Sequence, residues 1–152
     1  MTICIVDTSI FCNVLDVPGF NQAKSRILAS LHQFIDQRYT LLLPLAAVFE
    51  TGNHIAHVTD GRERRSSAER FVRQVRLAIV REAPWTPTPF PDQMELNQWL
   101  GTFPDEAMWG VGMADLSMIK AFERQCELHR ARRTFIWSLD QHLSGYDRAA
   151  IT

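Results

Sequence analysis

Long apolar runs are missing from this 152-residue chain. No stretch approaches the ~18 apolar residues of a membrane span. The opening Met1-Thr2-Ile3-Cys4-Ile5-Val6-Asp7 has no basic start and soon meets an acid, so it is not expected to act as a secretory signal. Cysteine is scarce. Cys4, Cys12 and Cys126 cannot build a disulfide framework and lack zinc-ribbon spacing. They read as small core residues in a reducing compartment, and a soluble cytoplasmic protein is the expectation. An excess of one charge is also missing: 16 Lys+Arg stand against 17 Asp+Glu, a net charge of −1. Bulk positive charge is therefore not what would hold a nucleic acid, although a local basic patch stays open. No internal repeat, low-complexity tract or domain boundary is visible. What is present is a 46% apolar, 22% charged composition, which is globular. Roughly 150 residues make one ordinary domain, here 1–152, able to bury about two-thirds of its unfolded surface.

Ile3 to Val6 is a β-branched run stopped by Asp7, which suits a strand buried on both faces. Asp7-Thr8-Ser9 offers caps for a helical turn through Ile10, Phe11 and Val14, and Asp16 to Gly19 is a turn. Ala23 to Gln37 has Ile27, Leu28, Leu31, Phe34 and Ile35 on one helical face. Thr40 to Leu43 is a second buried strand. Pro44 suits the first turn of a helix running through Glu50 toward Val58, weakened at Gly52. Asp60 to Ser67 reads as a charged loop and Ala68 to Arg81 as a helix. Pro84 to Pro91 holds four prolines, which excludes a helix or central strand and predicts an extended loop covering a sheet edge. Asp92 caps a short helix through Leu100, Gly101 to Gly112 is loop, and Met113 to His129 is a strong helix. Thr134 to Leu139 is a third strand. Strands alternating with helices predict an α/β fold with a mainly parallel sheet.

Four acids depart from the usual solvated placement. Asp7 follows Ile3-Cys4-Ile5-Val6, and Asp140 follows Phe135-Ile136-Trp137-Ser138-Leu139. Each therefore sits at the carboxyl end of a buried strand, where open α/β sheets place ligands. Glu50 lies in a mostly apolar helix start after the second strand, and Asp115 at a helix start rich in small residues. An N-cap would account for any one of them alone. Four carboxylates in one crevice would repel strongly and call for a cation. Oxygen-only ligation suits Mg²⁺ or Mn²⁺ rather than zinc or copper, and such ions bring phosphates with them.

These segments resemble the PIN domain family. The opening strand with Asp7-Thr8-Ser9 is similar to its first motif, and Pro44 to Glu50 to its second. Met113-Ala114-Asp115-Leu116-Ser117-Met118-Ile119 resembles the third, with Leu116 where the family commonly has Ala. Ile136-Trp137-Ser138-Leu139-Asp140-Gln141-His142-Leu143 resembles the fourth. The resemblance spans nearly the whole chain. It implies a three-layer α/β/α sandwich, from which this chain is expected to depart in a last strand that is short or absent before Ile151-Thr152. It also implies a metal-dependent endoribonuclease acting on single-stranded RNA, leaving 5′-phosphate and 3′-hydroxyl ends. Asp7, Glu50, Asp115 and Asp140 would be the Mg²⁺ or Mn²⁺ ligands, and Ser9 and Ser138 would orient acids or water. Many small bacterial members are toxins of the VapC type, so a homodimer and a small antitoxin partner are implied. Two rival classes stay open: another Mg²⁺-dependent phosphoryl hydrolase in the same crevice, and a catalytically silent PIN-like module binding RNA or a partner. A nucleophilic-Asp phosphotransferase would want a second Asp where Ser9 stands, and retention of all four acids speaks against the silent module.

Other residues are weighed alongside. Glu50, His54 and His57 share one helical face, but not in zinc-protease order, so substrate-facing or partly buried histidines are expected. His142, near Asp140, reads as a surface residue that could reach metal or phosphate. Arg62, Arg64, Arg65, Arg70, Arg73 and Arg76, with Arg130, Arg132 and Arg133, form either solvated faces or a phosphate-tracking rim. Trp137 belongs to the core by its place in a strand, and Trp109 is the better base-stacking candidate.

Overall fold

Four apolar residues with no exposed face, Ile3–Val6, form β1 in the middle of a five-stranded sheet. The computed structural model of the protein describes residues 1–152. On one side of β1 lies β2 (Thr40–Pro44), followed by β3 (Trp85–Thr88); both pairings are parallel. On the other side lies β4 (Thr134–Trp137), also parallel, and the two-residue β5 (Asp147–Arg148) closes that edge antiparallel. The order is β3-β2-β1-β4-β5. Parallel neighbours need long crossovers. The first carries α1 (Thr8–Val14) and α2 (Lys24–Asp36), and the second α3 (Leu45–Ala56) and α4 (Gly61–Ile79). The third carries α5 (Gln93–Met108) and α6 (Met113–Leu128). The chain winds outward from β1 to β3, then crosses to the far side of β1 for β4. That reversal is a topological switch point, and it opens a crevice at the carboxyl ends of β1 and β4.

Side chains alternate across the sheet. Cys4, Val6, Leu41, Leu43 and Trp85 join residues of α1 to α4 in a core of 17 buried residues. Phe11 is its hub, with ring centroids 5.7 Å from Trp85 and 6.4 Å from Phe71. Truncating such a ring costs about 3–5 kcal/mol. Ile5 and Ile136 face the other way and pack with Met118, Ile119 and Leu143 in a cluster of five. The sheet thus lies between two helical layers of unequal weight. The lighter layer leaves a cavity of about 590 Å³ between Ile5, Leu42 and Pro44 on the sheet and α5 and α6 above it. No helix is long and apolar enough to cross a membrane.

Three expectations need correction. Asp60 to Ser67 is not a loop, because α4 begins at Gly61: the Asp60 side chain accepts from Glu63 N at 2.9 Å, and Arg65 pairs with Glu69 one turn on. That is a capping-box spacing opening a helix whose first turns are polar all round. Gly101 to Gly112 is not a loop either. The helix continues through Pro104 to Met108 and stops before Gly110, whose φ of +78° suits a helix end. Pro104 only forgoes its bond to the Leu100 carbonyl, and on a helix that buries no residue that carbonyl can be solvated. Finally, Trp85–Thr88 is itself the edge strand rather than a cover over one. Pro87 sits opposite Leu43, and an outermost strand has no further neighbour that needs its missing N–H.

Candidate active site at the switch point

Asp7 leaves the sheet directly after β1 and caps α1, with only 6% of its surface exposed. Its Oδ2 accepts from Ser9 Oγ at 2.9 Å, from Ser138 Oγ at 2.7 Å and from Ser9 N at 3.4 Å. These bonds all fall on Oδ2 and leave Oδ1 for a ligand. Each serine hydroxyl has one proton, and both protons go to Asp7. In return, Leu139 N donates to Ser9 Oγ at 3.0 Å and Asp140 N to Ser138 Oγ at 2.9 Å. Asp7 N also donates to Trp137 O at 3.1 Å. The ends of β1 and β4 are therefore stitched together by two hydroxyls whose rotors are fixed from both sides. The N-cap account of Asp7 is correct and is also part of the site.

Asp140 begins the turn after β4, where its Oδ1 accepts from His142 N at 2.8 Å. Glu50 projects from α3, and its Oε2 accepts from Thr8 Oγ1 at 3.1 Å. Its Oε1 lies 3.8 Å from His54 Nε2. Asp115 stands in the first turn of α6, whose cap, Gly112, offers no side chain. Burial pushes the Asp115 carboxyl up to about 6, helped by the charges of Asp140, Asp7 and Glu50, while His142 opposes them. The charges of Asp140, Asp7 and Glu50 thus all bear on Asp115.

The donor set is oxygen-only, and the mutual repulsion favours a hard divalent cation. No group of three or more His, Cys, Asp and Glu side chains is placed to hold a metal ion together. Mg²⁺ needs no such group, since it usually keeps several waters and takes one or two carboxylates. By donor chemistry, one or two of these carboxylates suit such an ion. Glu50, His54 and His57 do not form a transition-metal trio: His57 Nδ1 lies 2.7 Å from Asn53 O and the residue caps the end of α3.

The arginines divide by their partners. Arg70 donates to Leu15 O at 2.8 Å and Asp16 O at 3.0 Å, capping the end of α1. Arg64 donates to Val58 O, Arg65 pairs with Glu69, and Arg133 pairs with Asp147 at 2.6 Å while lying over Phe135. Arg62, Arg73 and Arg76 have no such side-chain bonds, and they are what is left of the basic rim on α4. Trp137 packs its edge on Phe34 at 4.8 Å, and Trp109 is 80% exposed at the end of α5.

Two residues of the site carry little sequence signal. Thr8 looks like a capping residue, yet it holds Glu50 from 42 positions away. Phe20 follows a Pro18-Gly19 turn and stacks on His54 with centroids 4.3 Å apart. Comparison with protein-family models, with curated proteins and with solved structures found no match to this chain.

Proposed function

We propose that the protein is a PIN-like, Mg²⁺- or Mn²⁺-dependent endoribonuclease that hydrolyses phosphodiester bonds of single-stranded RNA. The observation that carries this reading is the convergence of Asp7, Glu50, Asp115 and Asp140 on the switch-point crevice, with Asp7 held by Ser9 and Ser138. In such a site a bound divalent cation supplies charge neutralisation at the phosphate and a water of lowered pKa. The chain's own residues do the rest. Ser9 and Ser138 hold Asp7 by Oδ2, so that Oδ1 would remain for the ligand. Thr8, next to Asp7, holds Glu50. Neither serine is assigned as a nucleophile, because the carboxylate that takes both hydroxyl protons, Asp7, is given to the cation in this reading.

Within this reading the protein is a cytoplasmic toxin of a toxin–antitoxin pair and a homodimer, on the strength of the motif resemblance. Met94, Leu100, Met108 and Trp109, exposed along and just beyond α5, supply apolar surface for the second copy. The test is cleavage of a single-stranded RNA with Mn²⁺ and with EDTA, on wild type, Asp7→Asn and Asp140→Asn. Activity should require the metal and fall at least a hundredfold in each variant. Cleavage that persists in EDTA, or in both variants with intact folds, overturns the mechanism. A monomer at micromolar concentration, together with harmless expression of active protein in bacteria, overturns the dimer and the toxin role.

A further inference from the structure

Beside Glu50, at the edge of the crevice, stands an aromatic pair that hydrolysis does not use. Phe20 and His54 are stacked, with ring centroids 4.3 Å apart and planes inclined by 28°. Neither ring belongs to either hydrophobic cluster. His54 lies one helical turn beyond Glu50 on α3. Phe20 comes from the connection between α1 and α2 and remains 38% exposed.

That connection is not a slack loop. Gly19 takes φ +85°, a value open to glycine, and Phe20 N donates to Val17 O at 2.9 Å. Asp16 is held by Lys24 at 2.9 Å and by Asn21 at 2.9 Å, and its carbonyl accepts from Arg70. An apolar ring is therefore fixed at the surface by a network of polar bonds, next to a carboxylate of the acidic crevice. Core packing does not account for it.

We infer that Phe20 and His54 form a shelf on which one unpaired nucleobase stacks, adjacent to the phosphate at the acidic crevice. The inference rests on the RNA reading above and deepens it by naming how single strands are chosen. Stacking on aromatic side chains is the common mode by which unpaired bases are held, and it tolerates every base because each has a π-face. A base inside a duplex is already stacked on both faces, so the shelf discriminates by strandedness rather than by sequence. The plain rival is that Phe20 props His54, which in turn positions Glu50. The two differ in what they require of the substrate: a prop acts whether or not a base is present, and a shelf acts only through the base.

The experiment uses the full chain and a short, fluorescently labelled single-stranded RNA in which one abasic residue is walked along the strand. Binding is measured by anisotropy in Ca²⁺, and cleavage in Mn²⁺, for wild type, Phe20→Ala, Phe20→Leu and Phe20→Trp, with folds checked by melting curves. Phe20→Ala should weaken binding roughly tenfold, Phe20→Trp should restore it, and Phe20→Leu should not. The wild-type advantage should vanish at one abasic position and persist at the others, and in cleavage the loss should fall on KM rather than kcat. A loss that is the same for every abasic substrate, or that falls on kcat, or that Leu repairs, overturns the shelf in favour of the prop. Binding that depends on one base without any cleavage keeps the shelf and removes the nuclease. Absence of RNA binding by the wild type removes both.

Discussion

Replacing Asp115 by asparagine should stabilise the metal-free protein at neutral pH, although the residue lies within the candidate site. Its carboxyl titrates near 6 in the folded protein against an ordinary 3.8, because it is partly buried among Asp140, Asp7 and Glu50. Between those two values the folded chain binds more protons at this residue than the unfolded chain does. Stability therefore falls as pH rises through that window, and the full penalty stands above it. At 1.36 kcal/mol per tenfold change the ceiling is ~3 kcal/mol. Solvent screening in a half-exposed crevice reduces this to about 1–2 kcal/mol. For a domain of this size that corresponds to a melting temperature about 3–6 °C above wild type at pH 7.5 in EDTA. At pH 4 the residue is largely protonated in the folded protein and the gap should mostly close. Saturating Mn²⁺ should reverse the order, because a cation a hundredfold above its Kd adds about 2.7 kcal/mol to the protein that binds it. The assay is a set of circular dichroism melting curves on both proteins, in EDTA at the two pH values and in Mn²⁺ at pH 7.5. A variant that melts no higher than wild type at pH 7.5 in EDTA, or higher by the same margin at both pH values, refutes the shared repulsion. An undiminished Mn²⁺ shift in the variant would take Asp115 out of the cation site and leave the other three acids in it.

Ser138→Ala removes a donor to Asp7 and the acceptor of Asp140 N, and should cost about 1–3 kcal/mol in urea titration along with most of the cleavage activity; unchanged activity would detach the serine from the site. Asp60→Ala should cost about 1 kcal/mol through loss of the α4 cap, and an unchanged unfolding midpoint would contradict a helix beginning at Gly61. Arg70→Ala should lower stability by about 1–3 kcal/mol and leave RNA affinity intact, because its guanidinium serves the end of α1. The double variant Arg73→Ala/Arg76→Ala should do the reverse, weakening RNA binding and flattening its salt dependence while the melting curve stays put.

The parts of the fold that sequence reading recovers are those written in uninterrupted apolar runs. Ile3–Val6, Thr40–Pro44 and Thr134–Trp137 are parallel strands buried between layers, and an acid soon after such a run marks the crevice. The parts it misses follow other physics. The first turns of α4 expose nearly every residue, so no apolar period announces them, and only the Asp60 to Glu63 spacing does. In α5, Gly101 and Pro104 are local breakers, and their usual effect is muted on a helix that fully buries none of its residues. Trp85–Thr88 contains Pro87 and becomes a strand because β2 leaves an edge free beside it. In the site, each acid is marked by its own neighbours in the chain. Thr8 with Glu50, and Phe20 with His54, meet only through the tertiary fold, and nothing local announces either pair.

The seam between β1 and β4 also bears on when the candidate site takes shape. Ser138 reaches Asp7 across 131 positions, and Leu139 reaches Ser9 across 130. A ribosome that has made Asp7 and its serine has still to make nearly all the rest before either bond can close. Until then β1 has only β2 beside it, β4 and Asp140 are not complete, and the chain has no crevice. Closing so long a loop carries an entropy cost that only a folded sheet repays, and such long-range pairings form late. The crevice is therefore a late product of synthesis, since it assembles only once the last parallel strand has been delivered.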